Sequence, residues 1–448
     1  MSAEIFTRPV NYEGGNMLFG AALLILFLLG YMLIATEHYT KIDKGATALL
    51  LGFGLFALIA LFGPFSHEVV EKHLHNLTGE IAQIILFLLG AMAIVEMISL
   101  CGGFDVIARK ITSKSKRKLL FVVATITFGM SALLDNLTTS IVMYAVTCKL
   151  IDDTADRMTF GGIIVIAANS GGAWFPTGDV TTTMLWIAGK ITTVSLIKHL
   201  FIPSLISLLV PLVWVMRGID GKVEKKTETK SQERKGALLI LTVGVVGLLS
   251  VPILKATLHL PPYLCILGAL GILWTLEEIM YKGKAWITIS QSEEVGSGDD
   301  SRVDQKNTLA KALESVEVPS LLFFIGILLA VGALQSVDIL QQGAAILTRY
   351  CSPNVVVALL GILSAILDNV PLTAASIQMY QNIPADSLFW HMLALCVGTG
   401  GSLLIIGSAA GVVLMGKARI TFGWYLRRFT LPVLGGYLAA LTTLILLN

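Results

Sequence analysis

Four carboxylates stand inside apolar runs, where an ionisable side chain is costly and marks function by default. Glu96 lies in GAMAIVEMISL, Asp135 in SALLDNLTTS, Asp179 in WFPTGDVTTT and Asp368 in SAILDNVPLT. No Lys or Arg falls within ten residues of Asp135 or Asp368 along the chain. A carboxyl group in such surroundings escapes its charge by binding a proton, or keeps it by binding a metal cation. One site then holds either H+ or a small cation, and each expels the other. Hard oxygen ligands follow the acids: Asn136, Thr138, Thr139 and Ser140 after Asp135, Thr181, Thr182 and Thr183 after Asp179, and Asn369 and Thr373 after Asp368. Carboxylate, amide and hydroxyl oxygens suit alkali and other hard cations, whereas thiolates suit soft metals. The plainer alternative for a single Thr is a bond to the carbonyl four residues back. For Asp135 and Asp368 it is a hydrogen bond that pins a helix break.

The acids belong to an internal repeat. Phe87-Leu-Leu-Gly90 is echoed by Phe323-Phe-Ile-Gly326, and Ser131-Ala-Leu-Leu-Asp135-Asn136 by Ser364-Ala-Ile-Leu-Asp368-Asn369. Asn169-Ser170-Gly171-Gly172 is matched by Gly398-Thr399-Gly400-Gly401, with Ser402 following and Gly178 answered by Gly407. The offsets, 236, 233 and 229, are close to half the chain. Many secondary transporters consist of two such repeats, often inverted, with the substrate held where they meet. Glycines beside Asp, Asn and Thr at membrane depth fit broken helices that line a wet cavity, and Pro371 is expected to break the second copy. Glycines alone would equally serve close helix packing.

What must position these groups is a bilayer-spanning fold. The chain has 448 residues, 55% apolar and 14% charged, against about 25% charge in a soluble domain. Its 32 basic and 30 acidic residues cannot coat three soluble domains, and a net charge of +2 shows no basic field for nucleic acid. Twelve apolar runs are long enough to span a bilayer: 17–36, 45–63, 81–100, 119–150 (long and interrupted), 160–188, 193–216, 236–254, 262–281, 318–334, 355–380, 388–415 and 421–447. The residues before the first lack the pattern of a cleaved signal. Five scattered cysteines and seven histidines form no metal or disulfide pattern, although His73 and His75 lie two apart. No GxxxxGK[ST], HExxH or GxSxG motif is present, which argues against an ATP-driven pump and a membrane-embedded enzyme. The expected organisation is a first transmembrane repeat over 1–216, a charged linker over 217–235 and a second repeat over 236–448, with a hydrophilic loop at 282–315.

The two Asp-Asn pairs and the stretch NSGGAWFPTGDVTT resemble the NhaD-type sodium/proton antiporters of the ion transporter superfamily, a likeness that runs from about Glu80 to the C-terminus. That resemblance implies an all-α polytopic fold of two inverted repeats with re-entrant hairpins and broken helices, and a homodimer in the cytoplasmic membrane. It also implies exchange of Na+ (and Li+) for H+ without a cofactor. Its functional positions carry over to Glu96, Asp135, Asn136, Asn169, Asp179, Thr181, Thr182, Ser364, Asp368 and Asn369, with Ser402 and Ser408 in the second half's Gly-rich segment, which is poorer in polar residues. Thr138 joins them from the oxygen pattern, and the sodium ligands are expected to be Asp135, Asn136, Asp368 and Asn369. The rival reading is a sodium-coupled dicarboxylate carrier or an arsenite carrier of the same superfamily. In related symporters a Ser-Asn-Thr break aligns with Asp135 to Thr138, and Asp in place of that Ser repels an anion.

Topology is where the expectations conflict. Residues 109–118 carry six Lys or Arg and belong on the cytoplasmic side by the positive-inside rule. With re-entrant hairpins at 81–111 (the family's first hairpin falling at about 87–107) and 318–350, each repeat has five crossings, which suits inversion. The linker, with seven Lys or Arg and four acids, then falls outside. Either one broken segment fails to cross, or the linker is an exception to the rule.

Overall fold

The computed structural model of the protein describes residues 14–111, 113, 115–222, 236–292 and 308–448. Among them every named element is helical. Seven helices among the described residues are long and apolar enough to cross a membrane: Lys44–Phe62, His67–Leu100, Thr193–Arg217, Ala237–Leu258, Pro262–Met280, Val318–Ser336 and Phe422–Leu447. Leu18–Ile34 forms a shorter apolar helix. The four remaining apolar runs are each cut in two. They become Lys116–Ser131 with Asn136–Leu150, Thr154–Gly172 with Val180–Ile187, Pro353–Leu363 with Asn369–Met379, and Leu388–Gly400 with Ala409–Lys417. Large apolar side chains such as Leu50, Phe53, Leu61 and Ile272 are more than 60% exposed, as a lipid-facing surface requires. The protein is an all-α polytopic membrane protein.

The cuts have a local cause. Asp135 and Asp368 are the N-caps of the helices that follow, their Oδ1 atoms accepting from Thr138 N at 2.8 Å and Val370 N at 3.2 Å. Asp179 caps Val180–Ile187, and its own N–H donates to Thr182 Oγ1 at 3.2 Å. A capping side chain satisfies amides that a helix start leaves without partners. Pro371 causes no break: it lies in the first turn of Asn369–Met379, where the missing N–H is not needed.

Ion pairs and hydrogen bonds reveal which cut segments reverse direction. Lys116 Nζ lies 2.5 Å from Asp156, and Arg157 donates to Ile151 O at 2.6 Å and Cys148 O at 3.1 Å. Both ends of 116–150 therefore meet the start of Thr154–Gly172, so these two helices form a hairpin with its tip at 132–135. In the second half, Ile339–Tyr350 packs on Asn369–Met379 with Thr348 beside Tyr380, whose ring lies 4.7 Å from that of Phe389. The segment 353–379 is likewise a hairpin, with its tip at 364–368. Ser131 Oγ donates to Ala168 O at 2.6 Å and its counterpart Ser364 Oγ to Val397 O at 2.7 Å, so each hairpin is fastened to the next helix by the same bond.

The hairpins thus differ in place from those expected. Residues 81–100 belong to the uninterrupted helix His67–Leu100, which turns only at Cys101 and Gly102 into Gly103–Lys110. Val318–Ser336 is also continuous, and the sharp bend, 110°, falls between Ile339–Tyr350 and Pro353–Leu363. Apolar length cannot distinguish a long crossing helix from two half-length helices that turn back, which is why sequence misplaced the reversal. Because 116–150 returns to its own side, the linker start lies beside residues 115–117: Arg117 pairs with Asp220 at 2.8 Å and Ser115 bridges Lys222. The conflict over the basic linker is relieved by the alternative that one broken segment does not cross.

The remainder of the expected linker, 223–235, and residues 293–307 of the expected hydrophilic loop lie outside the described residues. The flanks of that loop are helical, Pro262–Ser292 and Thr308–Ser315, because helix continues beyond the apolar run.

Candidate functional site

The two hairpin tips and the break at 173–179 converge on one cavity of about 60 Å³, room for a few water-sized particles. Its polar lining includes Asp135, Asn136, Asp179, Asp368, Asn369 and Lys44. Leu88, Met92, Val95, Leu133 and Phe324 supply an apolar wall. The helix N-termini that Asp135, Asp179 and Asp368 cap open there, and each adds partial positive charge that steadies its carboxylate. Taken singly, each Asp is explained as a cap. Three caps meeting at one cavity is an arrangement that helix capping alone does not require.

The acids are held differently. Asp135 accepts from Thr138 N at 2.8 Å and from Thr138 Oγ1 at 2.9 Å, and its φ is +55°. A non-glycine residue in that region carries strain of about 1–3 kcal/mol, of the kind that collects at functional sites. Asp179 is buried, with Asn369 Nδ2 reaching its two oxygens at 3.2 and 3.4 Å. Asp368 is ion-paired with Lys44 at 3.1 Å. The lack of basic neighbours along the chain therefore does not persist in space at Asp368, because Lys44 arrives from a helix 324 residues away.

The amides form a bridge between the halves. Asn136 Nδ2 donates to Asn169 Oδ1 at 3.0 Å, and Asn169 Nδ2 donates to Ser402 Oγ at 2.8 Å and Ser408 Oγ at 3.0 Å. Ser408 is the repeat counterpart of Asp179, and Gly398 that of Asn169. The first half thus supplies a charge and an amide where the second has a hydroxyl and a hydrogen, so the site is asymmetric although the fold pattern recurs. Asn169→Ala leaves the Asn136 amide and two serines without their partner. It is expected to cost about 2 kcal/mol, read as a lower unfolding midpoint of the detergent-purified protein.

The other expected residues are spread more widely. Thr181 and Thr182 are buried in the first turn of Val180–Ile187, where Thr182 Oγ1 donates to Asp179 O at 2.9 Å. Ser364 serves the hairpin clasp and does not line the cavity. Glu96 is half-buried one turn beyond Met92, within electrostatic reach of Asp135 and Glu317 but off the lining. Among the described residues, no group of three or more His, Cys, Asp or Glu is arranged to hold a metal ion; the cavity's oxygens come from three carboxylates, two amides and a few hydroxyls. Lys44 was not foreseen: TEHYTKIDKG reads as a surface connection before an apolar run, and nothing in it points to Asp368.

Comparison with known proteins adds a lineage to this geometry. A family profile described as "Citrate transporter" matches residues 31–398. "Sodium/proton antiporter 1" of Arabidopsis thaliana is 39% identical over 443 residues, covering 97% of this chain and 74% of that protein. The "Na(+)/H(+) antiporter NhaD" of Vibrio cholerae is 31% identical over 444 residues, covering 96% and 92%. An uncharacterized transporter of Mycobacterium tuberculosis is 26% identical over 425 residues.

Proposed function

Because the chain belongs to the NhaD-type sodium/proton antiporters of the ion transporter superfamily, we propose that it exchanges Na+, and Li+, for H+ across the cytoplasmic membrane. The observation that carries this reading is the convergence of Asp135, Asp179 and Asp368 with Asn136 and Asn369 on one small cavity. Charge buried there has little water to solvate it, so a proton or a desolvated alkali cation takes water's place. Both cannot be held at once by the same oxygens. Sodium arriving from the cytoplasm displaces the protons, the hairpin tips move relative to the surrounding helices, and protons from the far side release the ion. Asn136, Asn169 and Asn369 orient the oxygens, and Glu96 and Asp179 serve either the proton's route or a second ion site.

Inverted repeats and the domain division 1–216, 217–235 and 236–448 belong to the same proposal. In its support, the base of the first hairpin joins 219–222, whereas the base of the second joins 188–192: Asp386 N donates to Lys190 O at 2.9 Å and Thr192 N to Asp386 Oδ1 at 2.7 Å. These two bases lie at opposite ends of the passage 154–187. The first base gathers Lys116, Arg117, Lys149 and Arg157, which favours it as the cytoplasmic side. A homodimer completes the reading.

The family profile's description, a citrate transporter, is compatible with a second reading, a sodium-coupled carrier of carboxylate anions. Three carboxylates against one ammonium oppose it, because a polyanion in this cavity meets like charge. Everted membrane vesicles holding a pH gradient separate the two. Na+ and Li+ are expected to dissipate the gradient and K+ to leave it. Citrate uptake stimulated by sodium, with no sodium-driven dissipation, sinks the antiporter. In the same vesicles Asp135→Asn should accumulate normally yet abolish the sodium response, and wild-type rates would remove Asp135 from the mechanism.

A further inference from the structure

Lys44 is the first residue of the helix Lys44–Phe62 and belongs to no matched part of the repeat. Its Nζ lies 3.1 Å from Asp368 Oδ2 and 4.6 Å from the centre of the Phe323 ring. The pair is mostly enclosed, the two side chains being 26% and 15% exposed. Four other ionisable groups face it. Glu37 accepts from Lys44 N at 3.4 Å, Glu317 is the N-cap residue of the helix that carries Phe323, Tyr31 lies near Asp368, and Asp179 lies within electrostatic reach of Asp368. Of the three cavity acids, Asp368 alone has an ion pair among the described residues. Asp135 and Asp179 have hydrogen bonds only.

An ammonium is a compact monovalent charge on a flexible stem, so to a carboxylate it is a cation that cannot leave. We propose that Lys44 is a built-in counter-cation that occupies Asp368, reserves Asp135 and Asp179 for the transported ion, and thereby sets the sodium concentration at which the carrier half-saturates. Lys44 remains charged throughout and acts through Asp368, which makes it a positioning residue. The inference rests on the sodium/proton exchange reading and narrows it: three carboxylates line the cavity, and two exchange.

The test is the half-saturating sodium concentration of the full-length carrier in proteoliposomes, measured by proton movement and by radioactive sodium uptake. Removing a positive charge a few ångströms from a poorly solvated cation site strengthens cation binding by about tenfold or more. Lys44→Met should therefore lower KM for Na+ by about tenfold and slow turnover, because the ion leaves less readily. A lysine that only supported the fold would reduce the amount of active carrier and leave KM where it was. Adding Asp368→Asn to Lys44→Met restores the formal charge of the cavity and should raise KM again by about tenfold. Lys44→Arg keeps the charge and should stay within about twofold of wild type, which preserves the test should the neutral variants fail to accumulate. An unchanged KM in Lys44→Met, a double variant that keeps the lowered KM, or a tenfold shift in Lys44→Arg overturns the proposal. A wild-type carrier that moves no protons in response to sodium sinks the exchange reading instead.

Discussion

Asp179→Asn is expected to bring sodium-driven proton movement down to that of vesicles without the carrier, a loss of at least about a hundredfold. The side chain is 2% exposed and sits between the first half's broken helix and the Asn369 amide of the second hairpin tip. Taking a unit charge from about 4 Å beside a bound cation costs about 4 kcal/mol of attraction at an effective dielectric of about 20, and about 1.4 kcal/mol is a tenfold change. The substitution keeps the shape. Asn caps helices as well as Asp does, and its oxygen can still accept from Asn369. Folding and function are therefore expected to separate: the unfolding midpoint in detergent should stay near wild type while exchange disappears. Asp179→Glu retains the charge on a longer stem and should recover part of the rate. An Asp179→Asn carrier working at more than half the wild-type rate would reduce this residue to a helix cap.

The second large effect concerns folding, at a place where two backbones nearly touch. A Cβ on Gly400 would fall on the carbonyl of Gly361, and a Cβ on Gly171 on the carbonyl of Phe128, its repeat counterpart. Neither obstacle is a side chain that could swing away. Overpacking of a core costs about 1–3 kcal/mol when neighbours can adjust, and here the hairpin itself must shift. Gly400→Ala is expected to cost about 3 kcal/mol or more and to leave little monodisperse carrier after mild heating in detergent. Gly416 serves as the control, because nothing lies within 4 Å of a Cβ placed there. Gly416→Ala should be neutral or slightly stabilising, since Ala favours helix over Gly. Equal behaviour of the two variants would show that the hairpin clasp tolerates the added methyl group.

Much of the site was legible because bilayer chemistry makes polar residues conspicuous. Asp179 and the pairs Asp135-Asn136 and Asp368-Asn369 stand out in apolar runs, and the structure brings all three acids to one cavity. The amide chain Asn136–Asn169–Ser402 joins residues already singled out, although nothing in their spacing indicated that they touch. Ser364 carries the right pattern for a ligand and turns out to clasp its hairpin. Lys44 was illegible for the opposite reason: a lysine ahead of an apolar helix is ordinary, and its partner lies 324 residues on.

Composition and repeat pattern by themselves determined that this protein lives in a bilayer, that motifs of its first half recur in its second, and which oxygens are anomalous there. Those properties are local, because the cost of burying a polar group depends on the residue and its immediate run. Direction was settled only in three dimensions. That 119–150 turns back shows in Lys116 meeting Asp156, a contact between residues 40 apart along the chain. The same holds for the choice among acids, since a carboxylate's partner is set by whichever helix passes beside it. Coulomb attraction and hydrogen bonding act through space, and a sequence records only neighbours along the chain.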